Sequence, residues 1–153
     1  MTARARVDIA AYARDRFRFF TDSPTRWGDC DHFGHINNVQ FVRYYESGRL
    51  DYFRRLLKLD TGPEVTNSLI IADLHVSFLR QINHPCALVV GSRISRLGNS
   101  SFDFEAALFE PGEDSPSSTA SATCVWFNFR DNRSEPIPPA ERVIIEQFEG
   151  IES

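Results

Sequence analysis

From Asn38 onward the apolar residues Val42, Tyr45, Phe53 and Leu56, with Phe41 and Tyr52 beside them, recur three or four positions apart. That spacing predicts one long helix over Val39 to Lys58. Asn37 is suited to cap its start, with Gln40 three residues on completing a capping box, and Asp60-Thr61-Gly62-Pro63 stops it. Gly48 costs about 1 kcal/mol relative to alanine inside a helix, so it marks close packing against a sheet. Beyond the helix the period shortens to two. Leu69 to Ile82, Ala87 to Leu97, Ser101 to Glu110 and Thr119 to Arg130 read as four strands. Gly98-Asn99 forms one turn and Pro111 to Ser118 a polar loop. In the third run Phe102, Phe104, Ala106 and Leu108 face one way and Asp103 and Glu105 the other, the signature of a sheet with one buried face.

Ahead of the helix, residues 16 to 27 carry Phe17, Phe19, Phe20 and Trp27 and read as a strand broken at Ser23-Pro24. The order is therefore strand, long helix, four strands. Consecutive strands favour an antiparallel sheet over alternating parallel units, giving an α+β fold in which one helix covers a sheet face. Pro136 to Pro139 ends the sheet region, and Ala140 to Glu149 reads as a short helix with Val143, Ile144 and Phe148 on its inner side.

A chain of 153 residues fits one domain with a substantial core. Thirteen phenylalanines supply much of the bulk, and a formal charge of -4 argues against a general grip on nucleic acid. The three cysteines, Cys30, Cys86 and Cys124, cannot close a disulfide framework, which favours a reducing compartment. Met1 to Arg18 is basic but interrupted by Asp8 and Asp15, and has no apolar run like a secretory signal; a transit peptide is the alternative. No segment approaches the roughly 20 apolar residues of a membrane span. The expected location is the cytoplasm.

Chemistry concentrates in Gly28 to Asn38, where carboxylates, imidazoles and a helix start fall within eleven residues. A group bound beside Asp31 would face the helix N-terminus, whose free N–H groups suit a developing oxyanion. Three other readings of the stretch fail. A calcium loop counted from Asp29 lacks ligands at Phe33 and Gln40. A nucleophilic Cys30 would sit among aspartates that raise a thiol pKa. His32 and His35 lack a third metal ligand at convincing spacing.

The segment Arg26 to Glu46 (R-W-G-D-C-D-H-F-G-H-I-N-N-V-Q-F-V-R-Y-Y-E) is similar to the D-x-D-x-x-G-H-x-N-N segment of hot-dog-fold acyl-CoA thioesterases of the 4-hydroxybenzoyl-CoA thioesterase type. Val76 to Ile82 (V-S-F-L-R-Q-I) and Arg96 to Phe102 (R-L-G-N-S-S-F) resemble the family's later strands. The resemblance spans about residues 17 to 130, leaving 131 to 153 as a C-terminal extension of a single domain. It implies a hot-dog fold, an antiparallel sheet wrapped around one long central helix.

It also implies hydrolysis of an acyl thioester to a carboxylic acid and free CoA. The substrate is an acyl-CoA or an acyl-carrier thioester, and no cofactor is needed because CoA belongs to the substrate. Asp31 occupies the family's catalytic aspartate position, as general base or as nucleophile, and the Asn38 backbone N–H would meet the oxyanion. One carboxylate can suffice, because a thiolate leaves more readily than an amine. Family members pair sheets across subunits and build the site at that interface. A homodimer or homotetramer is accordingly expected, with neither nucleic acid nor membrane as partner.

The chain departs from its relatives in places. Some carry a histidine seven positions after the aspartate and a tyrosine four before it, where this chain has Asn38 and Trp27, and plant acyl-carrier thioesterases place an asparagine where it has Phe33. His35 either orients the water or closes the turn. Glu46 either faces Asp31 or pairs with Arg43 or Arg49, and Asp29 buttresses the turn. For the CoA phosphates Arg80 leads Arg93, Arg96, Arg54, Arg55 and Lys58, while Ser100 and Ser101 are expected near the pantetheine channel. Two further functions remain open. One is a hot-dog dehydratase or hydratase, although His84-Pro85 lies in a turn unlike that family's His-Pro segments. The other is a non-catalytic acyl-CoA-binding module.

Overall fold

The computed structural model describes residues 6–152; the first five residues of the basic N-terminal segment lie outside them. Its elements are β1 (Phe19–Asp22), α1 (Asn38–Arg55), β2 (Asn67–Phe78), β3 (Val89–Leu97), β4 (Ser101–Phe109), β5 (Ser118–Asn128), β6 (Arg133–Ser134) and α2 (Pro139–Glu149). The sheet is antiparallel in the order β1-β3-β4-β5-β2, with the two-residue β6 paired to β5. Helix α1 packs on its inner face, which is the hot-dog arrangement. β1 is shorter than residues 16 to 27. Pro24 has no N–H to pair, and only Ser23 and Thr25 continue the ladder, donating to Leu88 O and Cys86 O.

Residues Phe41, Tyr44, Tyr45, Gly48, Tyr52 and Phe53 form the buried stripe of α1, while Val42 stays outside it. Gly48 is the point of closest approach. A Cβ there would lie 2.6 Å from Val90 Cγ1 on β3. The helix stops at Arg55, before the Gly62-Pro63 pair. Lys58 turns left-handed (φ 56°), and the Leu59 N–H reaches back to Phe53 O at 3.0 Å. On the sheet Phe102, Phe104, Ala106 and Leu108 all enter the main core, as their alternation requires.

Two bulges re-phase the long strands. β2 turns Leu69 and Ile71 inward and then Leu74, Val76 and Phe78, a change of parity absorbed between Ile71 and Asp73. β3 does the same between Ile94 and Arg96, so that Ile94 and Leu97 are both buried. The opposite sheet face is covered at one end by the N-terminal segment. Phe17, Ala107 and Phe109 form a small second cluster there, with Tyr12 and Phe20 against it. Arg93 ties the segment down by donating to Ala11 O (2.8 Å) and Arg16 O (3.3 Å) while pairing with Glu105. In α2 the buried side chain is Ile145, with Ile144 and Phe148 packed beside it; Val143 points to solvent, contrary to its expected inner position.

Candidate active site

The Asp31 segment is a tight turn, not an extended strand. Trp27–Asp29 forms a single 3-10 turn, Cys30 and Ile36 pair across the chain reversal, and Gly34 closes it at φ 81°. Such a turn needs glycine where φ is positive. The Asp31 side chain organises it. Its Oδ1 accepts the Phe33 N–H at 2.8 Å and the His35 N–H at 3.2 Å, while Asp31 N–H donates to His35 O. The other oxygen, Oδ2, has no hydrogen-bond partner among the described residues. Cys30 points back toward the core and packs there as a small apolar side chain.

Asn37 caps α1, its side chain accepting the Val39 N–H at 3.0 Å while its carbonyl accepts the Gln40 N–H. The reciprocal half of a capping box, from the Gln40 side chain, is not formed. The Asn38 N–H, first in the helix, is left without an acceptor among the described residues. Asp31, His35 and Asn38 line one cleft of about 500 Å³ with Phe33, Ile36, Phe41 and the end of β2 and its connector, Phe78 to Gln81. Phe41 and Phe78 meet edge to face at 5.2 Å and make one wall apolar. The connector is held against the turn by the Ile36 N–H donating to Ile82 O and by a bridge between His35 and Asn83.

Arg80 sits at the rim with its guanidinium already engaged. It donates to Ser115 O (2.9 Å) and Ser117 Oγ (3.3 Å), near Glu110 and Glu113. Other cations face elsewhere: Arg93 holds the N-terminal segment, Arg96 pairs with Asp103 at 2.7 Å, and Arg55 pairs with Asp51 at 2.8 Å. Glu46 is exposed on α1, lines no part of this cleft and makes no ion pair among the described residues. Arg49 nearby is half-buried, and desolvation lowers its pKa. Ser100 lies in the β3–β4 turn and Ser101 opens β4, at the other end of the sheet. Along β5 the cleft residue Phe78 faces Ser118 while Ser101 faces Val125, a separation of about seven residues or ~23 Å of strand.

Phe41, Phe78 and Leu79 enter the cleft without having been singled out in the sequence. Phe41 reads there as one more core position of the helix. Phe78 and Leu79 adjoin Arg80 in the matching segment, but only the long-range pairing of residues 35–36 with 82–83 brings them to Asp31. The cysteines carry no reactive signature. Burial pushes the Cys124 thiol up to about 12, and burial also raises that of Cys86. Among the described residues no three His, Cys, Asp or Glu side chains gather as metal ligands, and no helix is long and apolar enough to cross a membrane.

Known proteins share this architecture and a part of the sequence. The chloroplastic acyl-acyl carrier protein thioesterase ATL2 of Arabidopsis thaliana is 28% identical over 109 residues, 71% of this chain. The chain spans 56% of the length of that relative. Among solved structures, the PA5185 protein of Pseudomonas aeruginosa superposes with a TM-score of 0.82 at 26% identity, covering 88% of this chain and 94% of that one. A Thermus thermophilus thioesterase complexed with coenzyme A and zinc superposes with a TM-score of 0.75 at 29% identity, covering 91% of this chain and 99% of that one. The family model of the thioesterase-like superfamily matches residues 25–147, from just after β1 to the last turn of α2, and the chain belongs to that superfamily.

Proposed function

We propose that the chain hydrolyses an acyl thioester, carried by coenzyme A or an acyl carrier protein, with Asp31 as the reacting carboxylate. The observation that carries this is a convergence. Asp31, whose Oδ2 has no partner among the described residues, and Asn38, whose N–H has none, line the same apolar-walled cleft. As general base, Oδ2 takes a proton from water while the water oxygen bonds to the thioester carbon. The carbonyl oxygen becomes anionic and accepts the Asn38 N–H, where the helix dipole favours negative charge. Collapse then breaks the C–S bond, and the departing thiolate takes the proton held by Asp31. In the nucleophilic route Oδ2 itself bonds to the carbonyl carbon and the C–S bond breaks as the thiolate leaves; water then cleaves the resulting anhydride to the free acid and the Asp31 carboxylate, and the proton released goes to the thiolate. His35 borders the same cleft and would steady the water. Arg80, the cation that lines this cleft, would meet the CoA diphosphate.

A second copy of the chain completes this reading. β2 is a twelve-residue edge strand whose inner-face residues Ile71 and Phe78 are 36% and 50% exposed, and such an edge invites pairing. Antiparallel pairing of two β2 strands would carry the partner's β3–β4 turn toward the end of the sheet that holds Asp31. That is how Ser100 and Ser101 would approach the substrate, and how Glu46 would face a site other than that of its own chain.

The Asp31→Asn variant tests the chemistry, because asparagine Oδ1 still accepts from Phe33 and His35 and leaves the turn intact. Thiol release from acetyl-, hexanoyl-, palmitoyl- and benzoyl-CoA should fall by at least about 100-fold with the melting temperature unchanged, and the parent should sediment as a dimer or larger. Parent-level turnover by Asp31→Asn would overturn the assignment. Tight acyl-CoA binding with no thiol release by the parent would favour a binding module, and hydration of an enoyl-CoA would favour a hydratase.

A further inference from the structure

We infer that the Asp29 carboxylate and the Tyr44 hydroxyl form a clamp that positions the Asp31 turn against α1 and thereby sets the gap between Asp31 Oδ2 and the Asn38 N–H. This rests on the reading of Asp31 as the reacting group. The bonds that Asp31 makes all stay within its own turn, so they fix its shape but not its attachment to the helix. Attachment falls to the residues on either side. Asp29, only 8% exposed, accepts the Tyr44 hydroxyl at 2.6 Å and the Arg26 N–H at 2.9 Å through Oδ2. Its carbonyl accepts the N–H of Asn37, the cap of α1, at 2.9 Å. Tyr44 lies less than two turns beyond Asn38 and is itself buried.

A single residue two positions before Asp31 is thus bonded to the helix at its cap and again along its first turns. Burying a carboxylate is costly unless its donors are well placed, and a phenylalanine at position 44 would fill the same apolar space. The hydroxyl therefore does something that packing alone does not require. It is the only side-chain hydrogen bond among the described residues that joins residues 26–36 to α1 beyond the Asn37 cap. Burial raises the Tyr44 pKa, with the bond to Asp29 adding to the effect, so the phenol stays protonated and remains the donor. Asp29 and Tyr44 touch no substrate in this arrangement; they act through Asp31 and Asn38.

Tyr44→Phe, Asp29→Asn and the double variant, assayed beside Asp31→Asn with the acyl-CoA that the parent turns over fastest, test the clamp. Tyr44→Phe should lower kcat by about 10- to 100-fold, the penalty of a reacting group displaced by roughly an ångström, with KM little changed. In native-state hydrogen exchange the amides of His35 and Asn37 should lose protection while those of β4 and β5 keep theirs. Adding Asp29→Asn removes the carboxylate that Tyr44→Phe leaves short of a donor, and the melting temperature should recover while kcat stays low. Recovery of kcat together with the melting temperature would reduce the pair to a structural role and overturn the inference. So would unchanged exchange at His35 and Asn37, a result that needs no turnover to be read. If Asp31→Asn is inactive and Tyr44→Phe keeps the parent kcat, the clamp alone fails; if Asp31→Asn keeps the parent kcat, the reading of the site fails first.

Discussion

Gly34 shows how much one residue contributes to the candidate site. It occupies φ 81° with nothing within 4 Å of where a Cβ would stand, so any cost of a side chain there is conformational and not steric. Gly34→Ala should destabilise the fold by about 1–2 kcal/mol. It should also loosen the Phe33 and His35 amides that hold Asp31 Oδ1, and chemical denaturation with amide exchange at those two residues checks both. At this scale much was legible in the sequence: the acidic turn, its glycine and the asparagine cap are local chemistry with local signatures. What sequence could not supply is the partner of each group. That Asp29 meets Tyr44, or that Arg80 is tied to the β4–β5 loop, depends on contacts between segments far apart in the chain.

Among the elements, α1 was readable almost to its ends because its period is long and its cap explicit. Its C-terminus comes earlier than the period suggests, at Arg55 instead of Lys58, and Lys58 adopts a left-handed conformation that sequence reserves for glycine or asparagine. Gly48 was readable as a contact point, and its neighbour is now identified. Gly48→Ala would drive a methyl to 2.6 Å from Val90 Cγ1, and overpacking of this kind costs about 1–3 kcal/mol. Thermal melts should show a lower midpoint for Gly48→Ala and partial recovery in the double variant Gly48→Ala, Val90→Ala. The bulges in β2 and β3 were written in the sequence as a parity change, from Leu69 and Ile71 to Leu74 and Val76, and from Ile94 to Leu97. A single alternating pattern across each strand conceals that change. β6 and the 3-10 turns Ile9–Tyr12 and Arg14–Arg16 of the N-terminal segment are too short to leave a period at all.

For the molecule as a whole, α2 fastens the far end of the sheet through a half-buried carboxylate. Glu149 Oε1 accepts the Tyr52 hydroxyl and the Ile94 N–H, and Arg18 and Arg93 also act on its charge. Desolvation nonetheless raises its pKa above the ordinary 4.5. Its contribution is therefore complete below the unfolded pKa and is lost as pH rises through the folded one. Glu149→Gln keeps an acceptor for both donors and never ionises. Its stability relative to the parent should rise with pH above about 4.5 and level off beyond the folded pKa, as melts between about pH 4 and 8 would show. The space beneath α1 is filled by Tyr45, Tyr52, Phe53, Phe102 and Phe104, whereas Phe33 and Phe78 at the cleft are 84% and 50% exposed. Phe33 and Phe78 thus stand largely outside the packing that holds the fold, unlike Ile36 and Phe41, which line the same cleft from within the core. Exchanging Phe33 and Phe78 removes little buried surface, so in this architecture selection can diversify the preferred acyl group with little effect on foldability.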